Sequence, residues 1–188
     1  MRPVLSVLMV LASTLVFDIT SASPCCTDGF SLYTEQSPKT KPMCYKAIND
    51  WKANFERSRE GCKSIGGRLA TIHSPIENQF VLDLAKNISS PDYVWIGLVK
   101  DEKTPVTPQD PTGNWVWAED KAKPTYSNWL KGFPGNWEGQ TCSIMYVNPG
   151  QFGSVGGEWR DAKCETLEAP YICEKDPCVC GKTCDNNQ

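Results

Sequence analysis

The chain has one histidine, His73, in 188 residues. It has no nucleophile motif and no Gly-rich phosphate loop. An enzyme therefore finds little support. It also lacks any excess of basic residues. Nineteen Lys and Arg stand against 22 Asp and Glu, for a net charge of −3. That balance argues against a nucleic-acid partner, which favours a basic face. Beyond the first residues no stretch approaches the roughly 20 apolar residues of a membrane-spanning helix. No internal repeat is visible.

Cysteine is plentiful. The ten cysteines follow a start that reads as a secretory leader. Arg2 opens it, residues 4–17 are mostly apolar, and Thr20-Ser21-Ala22 offers small residues for cleavage. The expected divisions are a signal peptide over residues 1–22, one domain over 23–175 and a cysteine-containing tail over 176–188. The leader carries one Arg and one Asp, so its removal leaves the charge unchanged. A dense, even cysteine set in a secreted chain implies disulfides. Ten cysteines allow roughly 945 pairings, so spacing alone selects none. The sequon Asn87-Ile88-Ser89 marks Asn87 as a glycosylation acceptor in an exposed loop.

The elements read as follows. A strand is expected at residues 44–48, and a bond from Cys25 or Cys26 to Cys44 would close a hairpin. Residues 49–65 read as a helix capped by Asn49 or Asp50. Trp51, Phe55, Ser58, Cys62 and Ile65 recur along it at helical spacing. Gly66-Gly67 ends it. A strand follows at 68–72. A second helix starts at Ser74, where Ser74-Pro75-Ile76-Glu77 joins a capping serine, a first-turn proline and a glutamate placed to reach back. Ile76, Phe80, Val81 and Leu84 are its expected buried face. His73 precedes this cap, where a structural or exposed role is expected. Residues 93–98 form an apolar strand, followed by a Pro- and Thr-rich loop at 103–113. Trp115 and Trp117, two apart, share one strand face. Further short strands fall at 142–147, 158–160 and 171–173. A turn is expected at 37–42.

Residues 129–164 hold three of the seven tryptophans, Trp129, Trp137 and Trp159, in a long irregular segment rich in Gly and polar side chains. Such segments in compact domains are usually functional or disordered. The aromatics argue against disorder. Trp129 and Trp159 are expected to pack the segment down, whereas Trp137, flanked by Asn136 and Glu138, is the open case.

Several motifs, in order, carry a family resemblance. They are GCKSIGGRLATI at 61–72, Trp95-Ile96-Gly97-Leu98, Trp115-Val116-Trp117, Cys142, Trp159, Cys164 and Tyr171-Ile172-Cys173. Together they resemble the C-type lectin-like domain family over roughly residues 26–175. The resemblance implies an α+β fold, with two helices, small antiparallel sheets and a long irregular loop stapled by disulfides. It implies bridges Cys62–Cys173 and Cys142–Cys164, and an amino-terminal pair of Cys26 with Cys44. On the chain-entropy model the first two remove about 4.8 and about 3.4 kcal/mol of unfolded-state freedom. Cys25, Cys178, Cys180 and Cys184 are left over. One bridge from the amino end to the tail and one within the tail would use them. Thiolate metal ligation by Cys-x-Cys-x3-Cys is the alternative, disfavoured in an oxidising compartment.

Lectins of this family hold a sugar through calcium, with ligands in an E-P-N or Q-P-D triplet, an acidic residue before the third core cysteine, and an N-D pair after the late tryptophan. Calcium takes roughly six to eight oxygens. The matching positions here read Phe133-Pro134-Gly135, Gln140, Arg160 and Asp161. Pro134 corresponds to a cis proline of the family. Only Asp161 is a carboxylate, and Arg160 puts a cation where an oxygen donor belongs. No calcium is expected at this site. An oxygen cluster from Asn136, Glu138 and Glu158 is the alternative route to an ion.

The candidate ligand-binding residues are Trp137, Glu138, Gln140, Arg160 and Asp161. No metal ligand set is expected, Asp161 being the remnant of one. The expected product is a secreted, extracellular binding module. Its partner is a glycan held without the usual calcium site, or an extracellular protein. A calcium-dependent lectin with an atypical ligand set is the alternative. The ligand, the oligomeric state and the tail pairing are left open by the sequence.

Overall fold

The structure is a computed structural model that describes residues 23–35, 41–89, 91–103, 114–181 and 184. The expected leader lies outside these residues, as does most of the 37–42 turn and of the 103–113 loop.

Ten strands and two helices run in the order β1 Pro24–Cys25, β2 Ser31–Tyr33, β3 Met43–Ile48, α1 Phe55–Ser64, β4 Arg68–Leu69, α2 Pro75–Ala85, β5 Tyr93–Lys100, β6 Trp115–Trp117, β7 Gln140–Tyr146, β8 Trp159–Lys163, β9 Tyr171–Lys175 and β10 Cys178–Val179. This is the α+β C-type lectin-like architecture. Its short strands join into one eight-stranded network ordered β2-β3-β9-β5-β7-β8, with β4 on β9 and β6 on β5. Pairing between these strands is antiparallel except where Trp95 lies parallel beside Tyr171 and joins β5 to β9; Trp129 outside the strands makes a further parallel bridge to Trp159. The Trp95 N–H donates to the Pro170 carbonyl, and the Trp95 indole N–H to the Ala53 carbonyl.

Helix α1 starts six residues later than expected. The Ala53 carbonyl already accepts from the Trp95 indole and from the Ala169 N–H, so it cannot begin a helical ladder. Asn54 is the cap instead, its side-chain oxygen accepting from the Arg57 N–H. Trp51, expected on the buried face, therefore lies in the preceding turn and is exposed. Phe55, Ser58 and Cys62 are buried as the spacing requires. Gly61 lets α1 press on β9. A Cβ there would meet the Tyr171 hydroxyl at 2.1 Å.

Helix α2 begins as expected, with Ser74 capping the Glu77 N–H and Pro75 at the first position. Its inward face includes Val81 with Phe80 and Leu84 packed partly buried beside it, as expected, but departs from expectation elsewhere. Ile76 is exposed, and Glu77, Asn78, Val81, Leu82 and Ala85 face in. Two polar residues turn the helix this way because each finds buried partners. Asn78 accepts the Trp159 indole N–H and donates to the Gly157 carbonyl. Glu77 accepts the Tyr45 hydroxyl and the His73 N–H, one residue before the cap. His73 makes a structural contact, with Nε2 3.0 Å from the Thr71 hydroxyl and its ring edge-on to Trp117. Asn87 lies exposed in the turn after α2.

The main core gathers Trp115, Trp117 and Trp159 with aliphatic residues of α2, β5 and β7. Four disulfides join the described chain. They are Cys26–Cys44, Cys62–Cys173, Cys142–Cys164 and Cys178–Cys184. The tail is tied to the amino end by hydrogen bonds rather than a bond between sulfurs. β1 pairs with β10, and the Cys180 N–H donates to the Ser23 carbonyl. Cys25 and Cys180 are free thiols. Hydrogen bonding to Cys180, helped by burial, raises the Cys25 thiol above its ordinary value. Peptide mapping without reductant should recover the four bridges; a peptide joining Cys25 to Cys178 would contradict the tail arrangement.

Beneath the helices lies a buried carboxylate. Glu174 of β9 accepts from the Arg68 guanidinium and from the Thr71 N–H and hydroxyl. Burial pushes it up to about 7, and the half-exposed Arg68 offsets this only in part. The folded protein therefore holds this proton more tightly than the unfolded chain does. The resulting stabilisation is complete below the unfolded value of 4.5 and is lost as pH rises through about 7. Thermal melts between about pH 5 and 8 should show Glu174→Gln lacking this component of the wild-type decline, and parallel curves would refute it.

Candidate functional site

Strand β8 builds the site from consecutive residues whose side chains alternate across the strand. Trp159 is fully buried. It meets the rings of Trp117, Tyr126 and Trp129 edge-on at 6.1, 5.6 and 6.0 Å. Its backbone receives the long segment: the Leu130 N–H donates to the Trp159 carbonyl and the Trp159 N–H to the Asn128 carbonyl. Trp129, half-buried, closes this seam against Trp115 at 4.9 Å. These tryptophans hold the segment on the core.

Asp161 is fully buried. Its Oδ1 accepts the Gly135 N–H and its Oδ2 the Asn136 N–H, both at 3.1 Å. Both oxygens of the one carboxylate at the family's ligand positions are thus engaged by loop backbone. The Phe133–Pro134 peptide bond is cis. Trp137 lies over Gly135, where an added Cβ would come within 2.9 Å of the indole ring. Trp137 also meets Phe133 edge-on at 5.6 Å, and 54% of it stays exposed.

Arg160 points the other way. Its Nε donates to the Asp161 carbonyl and its Nη1 to the Tyr146 hydroxyl, both at 3.1 Å. Its guanidinium lies 5.8 Å from the Phe133 ring and 5.5 Å from the Phe152 ring. Phe133 and Phe152 meet each other at 5.7 Å. Phe152 is 67% exposed and has a φ of 53°, unusual for a residue with a side chain. The result is a cation framed by aromatic rings at the surface. Phe152 was not among the residues expected here. Its neighbours in sequence are glycines and polar residues, and only the fold of the 147–158 connection brings it to Arg160.

The other expected residues are less gathered. Glu138 is exposed and makes no ion pair among the described residues. Gln140, on β7, keeps its side-chain oxygen buried without a hydrogen-bond partner. Glu158 does not join an oxygen cluster with Asn136 and Glu138. It accepts from the Ser154 hydroxyl and the Val155 and Gly156 N–H groups. Burial works to raise its carboxyl, but these hydrogen bonds outweigh that and hold it below the ordinary value.

The donor set does not fit calcium, which needs roughly six to eight oxygens. Asp161 and Glu158 are occupied by N–H donors, Phe133 and Gly135 have no side-chain oxygen, and Arg160 contributes positive charge. No group of three or more His, Cys, Asp or Glu suited to a metal occurs among the described residues.

Fold and site together define a disulfide-stapled α+β domain whose long loop is pinned to a tryptophan core. The chain belongs to the C-type lectin domain family, whose model matches residues 51–175. A perlucin-like protein of Mytilus galloprovincialis is 31% identical over 166 residues, covering 87% of this chain and 95% of that protein. A calcium-independent type II antifreeze protein superposes with a TM-score of 0.62 at 22% identity, covering 83% of this chain and 98% of its own. The Ca2+-independent C-type lectin SPL-2 of Saxidomus purpuratus superposes with a TM-score of 0.61 at 23% identity, covering 84% and 100%. At these identities the structural likenesses speak to the fold. Among the described residues no helix is long and apolar enough to cross a membrane.

If Asp161 holds the loop, Asp161→Ala should strand two N–H groups and cost about 1–3 kcal/mol in chemical denaturation. Amide exchange at Gly135 and Asn136 should accelerate in the same variant. Unchanged exchange at both positions would refute the pinning role.

Proposed function

We propose that this protein is a secreted, extracellular, non-catalytic binding module that recognises a glycan without calcium, using the aromatic surface around Trp137. The observation that carries this reading is the pairing of Asp161 with the Gly135 and Asn136 N–H groups. In calcium-dependent lectins the corresponding carboxylate serves the ion. Here the same group fixes the loop directly, and the loop presents an indole with more than half its surface open. An aromatic face stacks on the apolar face of a sugar ring without needing an ion. That a Ca2+-independent C-type lectin shares the fold supports the reading.

The ligand-binding set under this proposal is Trp137, Glu138, Gln140, Arg160 and Asp161, with Trp137 as the contact surface and Asp161 as a positioning residue. Glycosylation at Asn87 is part of the same proposal, since that side chain is exposed.

A glycan array probed in calcium and in EDTA should give the same bound set. Release by EDTA would instead support a calcium-dependent lectin with an atypical ligand set. Trp137→Ala should weaken the bound glycans by about 1–2 kcal/mol, roughly 5- to 30-fold, with an unchanged melting temperature. An empty array with a well-folded protein would move the assignment to an extracellular protein ligand.

A further inference from the structure

Arg160 has more binding capacity than the fold uses. A guanidinium carries five N–H donors. Two are engaged, by the Asp161 carbonyl and the Tyr146 hydroxyl. The other three, including both on Nη2, have no hydrogen-bond partner among the described residues. Nor does Arg160 form an ion pair among them. The acidic side chains of this stretch do not neutralise it. Asp161 is turned into the Gly135 and Asn136 N–H groups, and Glu158 into the Ser154–Gly156 turn. Glu138 is exposed and pairs with no cation among the described residues.

The surroundings favour use of that charge. The Phe133 and Phe152 rings flank the guanidinium and hold it in place. Rings beside a charge displace water, and a charge in a drier setting interacts more strongly. Phe133 links this cation to Trp137 through an edge contact. Lys131, exposed, follows the residue whose N–H binds the Trp159 carbonyl, and adds positive charge to the same segment. A planar fork with free donors is the side-chain geometry that suits a carboxylate or a sulfate.

We propose that the site is selective for acidic saccharides, with the carboxylate or sulfate of the sugar held by the free donors of Arg160 and the ring stacked in the frame of Trp137, Phe133 and Phe152. This rests on the glycan-binding reading above and names the chemical class of its ligand.

The test uses two matched pairs of immobilised probes in EDTA buffer. One is glucuronic acid-terminated against glucose-terminated oligosaccharide. The other is 6-sulfated against unsulfated N-acetylglucosamine. The acidic member of at least one pair should bind about tenfold or more tightly, and its identity separates the carboxylate from the sulfate source. Arg160→Gln should abolish the difference. Arg160→Lys keeps the charge but loses the fork, so it should retain only part of the preference. A melting temperature of Arg160→Gln equal to that of the wild type guards against a folding effect of that variant. Equal binding within both pairs, unchanged by Arg160→Gln, would overturn the acidic selectivity and leave calcium-free glycan recognition standing. No binding to any of the four probes by the folded wild type would overturn the acidic selectivity, whereas binding to a broader array would still decide the glycan reading.

Discussion

The two hydrogen bonds from Gly135 and Asn136 to the Asp161 carboxylate are the constraint on which the aromatic surface of the loop depends. They fix the loop backbone beside the cis Phe133–Pro134 peptide bond. That placement sets the Trp137 indole over Gly135 and the Phe133 ring beside Arg160. Charge-assisted bonds of this kind are stronger than neutral ones, and the accepting carboxylate is buried here. A divalent ion could organise the same backbone, but it would need both oxygens that the N–H groups now hold. In this chain backbone N–H groups of the loop itself occupy the Asp161 carboxylate.

Beneath the loop, polar groups orient the packing. Asn78 and Glu77 turn α2 by binding Trp159 and Tyr45, so the helix presents amides and carboxylates where its apolar residues alone would suggest Ile76. Burying such groups is costly without partners and specific with them. Glu174 follows the same rule at the junction of β9 with the Arg68–Thr71 segment. The core is thus registered by directional bonds as well as filled by tryptophan.

Much of this was legible in the residues. The Ser74-Pro75-Ile76-Glu77 cap, the paired tryptophans of β6 and the strand at Trp95 follow from local rules of capping and alternation. The start of α1 was not legible, because the Ala53 carbonyl is claimed by an indole 42 residues away. Of the expected α2 face, Val81, Phe80 and Leu84 pack on the core, but Ile76 does not, and the inward turn of Glu77 and Asn78 was missed for a related reason: they are satisfied only by the finished fold. At the site, the poverty of oxygen ligands could be read directly from Phe133, Gly135 and Arg160. The partners of Asp161, and all but the Ser154 hydroxyl among those of Glu158, could not, since they are backbone N–H groups and carry no sequence signature. Phe152 reaches Arg160 only through the path of its connection.

The Cys142–Cys164 bridge gives the site a mechanical property. Phe152 and Arg160 both lie within the segment it closes. Tension applied there reaches a covalent bond whichever way it travels along the chain. The segment cannot be drawn out beyond the length the bridge encloses. Between its ends, β7 and β8 are zipped antiparallel from the Cys142–Ala162 pair to the Met145–Trp159 pair. Pulling on Phe152 or Arg160 therefore loads the bridge and the strand pair together.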